Sequence, residues 1–353
     1  QGIVLVIVII IVSILTILVA DLIYFTQIDR EISGNTIDEI KARYIAKSGI
    51  HVAAGTLKAQ PLEDLNEIAS TLALEGENSK GFWAINVPFF PVGDGSVSVT
   101  VVDERAKINL NALVDSSSNR VDQQVLTELR ELFRLVEADD SKSERFISSL
   151  VNWVDQPIKG AQNDQDSNGA NSGFYTSLEN PYTIKDGTLD SVQEVRLIDG
   201  MDEEFFNKIK EYVTVYPRDK KINFSTAPKV VIMAAIKGST VPAIEGQENS
   251  NTNEVSDNMI EQIADEIIDA REDQPVIDQK KAREIASEVD SSSEISAGLV
   301  GVTLNSGYSE TFSVKSVGSL GDSNPTKRII EAVLRKTNEN NQTKVKIISW
   351  KEL

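Results

Sequence analysis

There is no cysteine in this chain of 353 residues, and only one histidine. The first absence removes disulfides, Cys-ligated zinc and thiolate nucleophiles in any compartment. The second leaves His51 as the sole imidazole, set among apolar neighbours where packing is its simplest role. Also missing are a glycine-rich phosphate loop, a G-x-S-x-G elbow and a Rossmann glycine fingerprint. Carboxylate pairs such as Asp139 and Asp140 are what so acidic a chain yields by composition, and nothing here calls for an enzyme. Positive charge is scarce: 35 basic against 54 acidic residues leave a net charge of −19. Such a chain repels phosphate backbones and anionic lipid surfaces, so nucleic acid is not an expected partner.

What is present begins at once. After Gln1 and Gly2 come eighteen uncharged residues, Ile3 to Ala20, before the first acid, Asp21. At about 1.5 Å per residue this run covers roughly 27 Å, close to the hydrocarbon thickness of a bilayer. A cleavable signal peptide would have a shorter apolar core and small residues just before the cut, whereas the stretch "TILVAD" places Leu there. Ser13 and Thr16 do not count against a span, because a helix can return their hydroxyls to its own carbonyls. A permanent anchor, or an anchor that later joins an assembly, is the expectation.

The helical pattern continues to about residue 60, with Gly34-Asn35 as its weak point. Ala42, Ala46, Gly49 and Ala53 recur at steps of four, three and four, placing small residues on one face where a backbone can lie close against a sheet. A hairpin follows: "GFWAINVPFF", the turn "PVGDG", and "SVSVTVVD", in which Val97, Val99 and Val101 alternate with polar residues. The period then becomes helical. Val125, Leu129, Phe133 and Val136 mark one helix, and Ser141 with Glu144 read as a capping box for the next. Further helices are expected at 191–197, 202–213, 226–236, 257–271 and 278–289, the third capped by Thr226, with an exposed loop at 237–256. From about residue 299 the pattern is strand-like again in "ETFSVKSVG", "KRIIEAVLRK" and "KVKIISW". The economical arrangement is one domain built from the first helix and strands of both chain ends, with a helical domain inserted between them.

These stretches, in this order, resemble the type IV pilin-like proteins and, among them, the K family of minor pseudopilins of type II secretion systems. The resemblance rests on "QGIVLVIVII", "ARYIAKSGIHVAAGTL", "VVDERAKINLNAL", "LVNWVDQ", "SGFYTSLENPY", "VQEVRLIDGMDEEFFNKIKEYVTVYP" and "KINFSTAPKVVIMAAI". It implies an α+β, pilin-like fold. The expected layout is the end of a prepilin leader at 1–2, a transmembrane and assembly helix at 3–20, and a pilin-like part at 21–110. An inserted all-helical domain at 111–298 and sheet-completing strands at 299–353 follow. It also implies processing after Gly2, with Ile3 as first mature residue and subject to methylation, and a sequence that begins inside its leader. Most pilins carry a Glu where this chain has Ile7; the K family has an apolar residue there and is placed at a filament tip. Partners so implied are minor pseudopilins I and J, the major pseudopilin, the prepilin peptidase, and the secretin or the exported protein. The location implied is the inner membrane, with the bulk of the chain in the periplasm.

In "DQDSNGANSGFY", Asp164, Asp166 and Asn168 alternate and Gly169 follows, matching the first half of a Ca²⁺ loop. The twelfth position is Tyr175 rather than Glu, so an EF-hand is excluded and other carboxylates must contribute; Asp155 and Glu179 are nearest, Asp199 more distant. The K family is associated with Ca²⁺ in its inserted domain, and Ca²⁺ is the cofactor expected. "VRLIDGMDEEFF" has the turn of a helix-hairpin-helix, but Asp199, Asp202, Glu203 and Glu204 would repel a phosphate, which leaves a structural or protein-docking hairpin. Two rival classes stay open: a minor pilin of a type IV pilus or DNA-uptake system, and a membrane-anchored, calcium-dependent binding protein.

Overall fold

The apolar run and its helical continuation form a single helix. In the computed structural model, α1 spans Gly2–Ala59 without a break at Gly34-Asn35. One glycine costs about 1 kcal/mol in a helix, too little to outweigh the hydrogen bonds on either side. Ser13 and Thr16 donate to the carbonyls of Ile9 and Val12 at 2.8 Å, as membrane-compatible hydroxyls should. The structure describes residues 2–59, 84–115, 117–155, 169–217, 219–241, 256–290, 294–321, 325–339 and 342–353.

The alternating stretches form a five-stranded antiparallel sheet. Its strands are β1 (Ala84–Val92), β2 (Gly95–Asp103), β5 (Thr311–Leu320), β6 (Thr326–Glu339) and β7 (Gln342–Glu352), in spatial order β1-β2-β5-β6-β7. The α1 face carries Val97 and Val101 from β2, Phe312 and Val314 from β5, and Ile330, Ala332 and Leu334 from β6, buried against Ala46, Ile50, Ala53 and Leu57. The small stripe does what its spacing predicts. A Cβ on Gly49 would lie 2.2 Å from Ser316 Oγ, and one on Gly318 would lie 2.1 Å from the Ala42 carbonyl oxygen. Ion pairs Arg43–Glu352 and Glu39–Arg328 hold the helix to the far strands.

Because β2 and β5 are neighbours in register from Gly95↔Leu320 to Asp103↔Phe312, everything between Asp103 and Thr311 leaves and re-enters the sheet at one end. That end lies beside Ala53 and Leu57, whereas Gly95 at the other end touches Ile45 and Gly318 touches Ala42. The intervening chain therefore sits at the end of the sheet farthest from the apolar run.

That intervening chain is mostly helical, with its own core. Its helices are α2 (Gln123–Leu135), α3 (Asp140–Val154), α4 (Ser172–Thr176), α5 (Glu203–Ile209), α6 (Lys229–Ser239), α7 (Asp257–Asp273), α8 (Gln279–Val289) and α9 (Glu294–Val302). A short parallel pair, β3 (Ile108–Asn109) with β4 (Val213–Thr214), adds to them. Phe133, Phe146 and Phe205 meet edge-on or tilted at 5.0 to 6.0 Å in its centre.

Several local expectations are corrected. Asp139, not Ser141, caps α3, accepting from the Lys142 N–H at 2.9 Å; an acid two positions earlier outcompetes the serine, and Glu144 instead accepts a forked pair from Arg130. Residues 191–197 form a 3₁₀ helix over 192–197, and the helix expected over 202–213 gives way to β4 after Ile209. The run from 299 is helical to Val302, and the first C-terminal strand starts at Thr311. Its β-branched residues suggest a strand, but here a buried helix brings Gly298 so close to the Ser239 carbonyl that a Cβ would lie 1.9 Å from it.

Candidate assembly surface and cation site

The stretch "VVDERAKINLNAL" forms the neck between sheet and helical insert. Asp103 is buried, and its carboxylate accepts from Thr226 Oγ1 at 2.7 Å, Asn223 Nδ2 at 2.9 Å and the Arg105 N–H at 2.8 Å. Burial pushes the Asp103 carboxyl above its usual range even so. Thr226 is therefore a neck residue and not a helix cap; α6 starts after Pro228 without a side-chain cap. Arg105, 6% exposed, forks onto Asp219 at 2.6 and 2.8 Å and reaches Glu310 at 2.8 Å. Burial works to raise the neighbouring Glu104 carboxyl, but Lys107 at 2.8 Å and the Thr214 hydroxyl outweigh it and hold the carboxyl below its usual range.

Among the described residues the first half of α1 has no partner. Ile3 to Phe25 present exposed apolar side chains around the whole helix, and Ile7 is half exposed among them. By length and composition this helix can cross a membrane. A helix apolar all round, standing clear of its own domain, buries itself in lipid or among other such helices.

Of the residues proposed for Ca²⁺, Asp164, Asp166 and Asn168 lie outside the described residues. Asp155 ends α3, is 6% exposed and accepts from Asn119 Nδ2. Beside it lies Asp186, whose carboxyl is raised first by desolvation and then by the Asp155 charge. Asn119 and Asp186 both have left-handed backbones, φ 56° and 49°. Glu179 is exposed, and Asp199 pairs with Arg145 at 3.4 Å while its N–H donates to the Tyr175 hydroxyl oxygen at 3.2 Å. Among the described residues no group of three or more carboxylate or imidazole side chains gathers. What gathers is two carboxylates and one amide, and the amide turns its nitrogen toward Asp155. Asn119 and Asp186 escaped notice in the sequence because each is more than thirty positions from Asp155. Gly169 has a packing reason as well: a Cβ there would lie 2.3 Å from the Ser148 carbonyl of α3.

The turn at Gly200 is closed to phosphates. It is packed on α3, where a Cβ would lie 2.5 Å from the Phe146 nitrogen. Its carboxylates are paired, Asp199 with Arg145, Asp202 with Lys142, Glu203 with Arg196 and Glu204 with Lys208.

Residues 106–218 match the family described as type II secretion system (T2SS), protein K. Over that part of its length the chain is similar to the type II secretion system protein K family. It is 24% identical over 229 residues to the type II secretion system protein K of Klebsiella pneumoniae, covering 61% of this chain and 64% of that one. To its counterpart in Pseudomonas aeruginosa it is 24% identical over 235 residues, 66% and 67% of the two chains. To that of Pectobacterium carotovorum it is 27% identical over 142 residues, covering 39% of this chain and 42% of the relative. The chain thus spans from 42% to 67% of the length of these protein K relatives. In fold it is similar to a chain in the crystal structure of the GspK-GspI-GspJ complex from the type 2 secretion system of enterotoxigenic Escherichia coli. The TM-score is 0.57 at 17% identity, over 87% of this chain and 96% of that one. The similarity to protein K and the α+β, pilin-like fold agree with what the sequence implied.

Proposed function

We propose that this chain is a minor pseudopilin that caps the tip of a periplasmic pseudopilus and helps start its assembly, for protein export across the outer membrane. The observation that carries the reading is the position of the helical insert at the end of the sheet opposite the apolar run. Subunits joined through parallel α1 helices can stack on the membrane side of this chain, but a subunit above it would meet the insert. Ile7 supports the same place: without a carboxylate it offers no partner to the terminal ammonium of a neighbour stacked above, and an unpaired buried ammonium is costly.

In this reading α1 first holds the protein in the inner membrane, with the rest in the periplasm. After cleavage behind Gly2 by a prepilin peptidase and methylation at Ile3, the helix passes into the filament. Partners are the minor pseudopilins I and J and the major pseudopilin, with the secretin or exported protein facing the insert; the role is mechanical and not enzymatic. Ca²⁺ would be held by Asp155, Asp164, Asp166 and Asn168, with Asp186 and Asn119 on the described side and Glu179 at the rim. The resolving experiment is light scattering of the full chain in detergent micelles with the I and J pseudopilins of the same organism, with and without Ca²⁺. A defined heterotrimer is expected. A chain that stays alone beside well-folded partners would favour an anchored, calcium-dependent binding protein or another pilus system.

A further inference from the structure

The charge of this chain is unevenly placed. Residues 311–353 carry eight basic against four acidic residues, leaving 27 basic against 50 acidic in the first 310. Strand register assigns most of that positive charge to one surface. On the sheet face turned away from α1, Thr311, Ser313 and Lys315 of β5 stand with Glu331, Val333 and Arg335 of β6, and these in turn with Lys351, Ser349 and Lys346 of β7. Lys327 and Lys344 lie on the same face, so six cations share it with two acids, Glu331 and Glu339. Glu331 is itself the direct cross-strand neighbour of both Lys315 and Lys351.

This face is not flat against solvent. The insert overhangs it, and between them lies a cleft of about 510 Å³. Val102 and Val333 line its sheet side and Val192 and Val215 its insert side, with Lys315 and Lys351 on the sheet and Lys107 and Lys210 toward the neck. Glu104 is paired with Lys107, and Glu211 and Glu331 also line the cleft, so its four lysines share it with three carboxylates. Lys315 and Lys351 are exposed, and among the described residues neither has an ion-pair partner. Valines on both walls and ammonium groups on the sheet side offer an extended polypeptide apolar contact and charge together.

We infer that the cleft between the outer sheet face and the helical insert is a docking groove for an acidic, extended segment of another protein, its apolar side chains on the valines and its carboxylates on Lys315 and Lys351. Charge complementarity argues for the acid: on a chain of net charge −19 this is a concentrated positive surface, and long-range repulsion from the rest of the molecule leaves it as the place where an acidic segment can land. The groove is present whether or not the chain sits at a filament tip.

The test is fluorescence anisotropy of the full chain in neutral detergent micelles, using a labelled peptide of about a dozen alternating Glu and Val residues, long enough to cross the sheet. Binding that weakens with salt is expected, and reversal by Lys315→Glu with Lys351→Glu should weaken it about tenfold or more. Val333→Trp, which fills the groove without changing charge, should weaken it too, and thermal melts of both variants establish that they fold. An alternating Lys and Val peptide should not bind, and inorganic phosphate should not compete. Absence of binding, binding untouched by either variant, or equal binding of a plain polyglutamate would overturn the assignment. Salt-sensitive self-association of the chain alone, abolished by the same reversal, would overturn it in favour of a second copy.

Discussion

Arg105 donates to Glu310 at 2.8 Å, tying the second residue after β2 to the residue that precedes β5. The same guanidinium forks onto Asp219 within the insert. One buried cation thus joins both necks of the insertion to the body of the inserted domain. Arg105→Met keeps the stem and removes the clamp. Because both carboxylates are about half exposed, the expected loss is discounted to about 2 kcal/mol. It is read as a shift in the urea midpoint followed by circular dichroism. An unchanged midpoint would mean the necks are held by strand pairing alone.

Glu128 of α2 is 1% exposed beneath α6, where a Cβ on Gly238 would lie 2.4 Å from its Cγ. Burial pushes its carboxyl up from 4.5 to about 8, against the hydrogen bond from Gln124 and the charge of Lys220. A raised carboxyl favours the folded state fully below the unfolded value of 4.5, and that advantage is lost as pH rises through about 8. Melting temperature should therefore fall between pH 5 and pH 8.5, and Glu128→Gln should flatten much of that slope. A slope that survives the substitution would place its origin elsewhere.

The close approach of α1 to the sheet rests on residues without side chains. At Gly318 a Cβ would meet the Ala42 carbonyl at 2.1 Å and the Ala46 nitrogen at 2.5 Å, backbone atoms that cannot rotate away. Gly318→Val should destabilise the sheet by about 2 kcal/mol or more. Gly34→Ala, in open space on the same helix, should be neutral or slightly stabilising. Paired thermal melts separate the two.

These examples mark how far the sequence could be read. The helix, its small stripe and the five strands were legible because each is a periodic pattern whose partner surface is itself periodic. Caps were legible as chemistry but not as position, since Asp139, Asp140 and Ser141 are three candidate caps in a row and the structure uses the first. Thr226 looked like a cap because nothing local shows that Asp103, 123 residues earlier, takes its hydroxyl. Asn119 and Asp186 had no local signal as neighbours of Asp155, because tertiary folding alone brings them there.

The cation site yields a direct test. Calcium at about a hundred times its dissociation constant should add about 2.7 kcal/mol of stability, seen as a rise in melting temperature that chelation reverses. Asp155→Asn should shrink that rise, and so should Asp186→Asn, because Asp186 lies next to the Asp155 charge although the acidic loop motif does not include it. A calcium response unaffected by Asp155→Asn would remove Asp155 from the ligand set.

In the proposed placement at a tip, Ile7 and the insert make separable contributions. If the missing carboxylate alone kept the chain out of the filament body, Ile7→Glu would let copies enter along its length. The insert, however, occupies the end of the sheet farthest from the apolar run, where the next subunit would stack. Ile7→Glu alone should therefore leave the number of copies per filament unchanged, as counted by immunogold labelling of pseudopili overproduced at the cell surface. Labelling spread along the shaft would show that the chain is excluded by charge pairing and not by bulk.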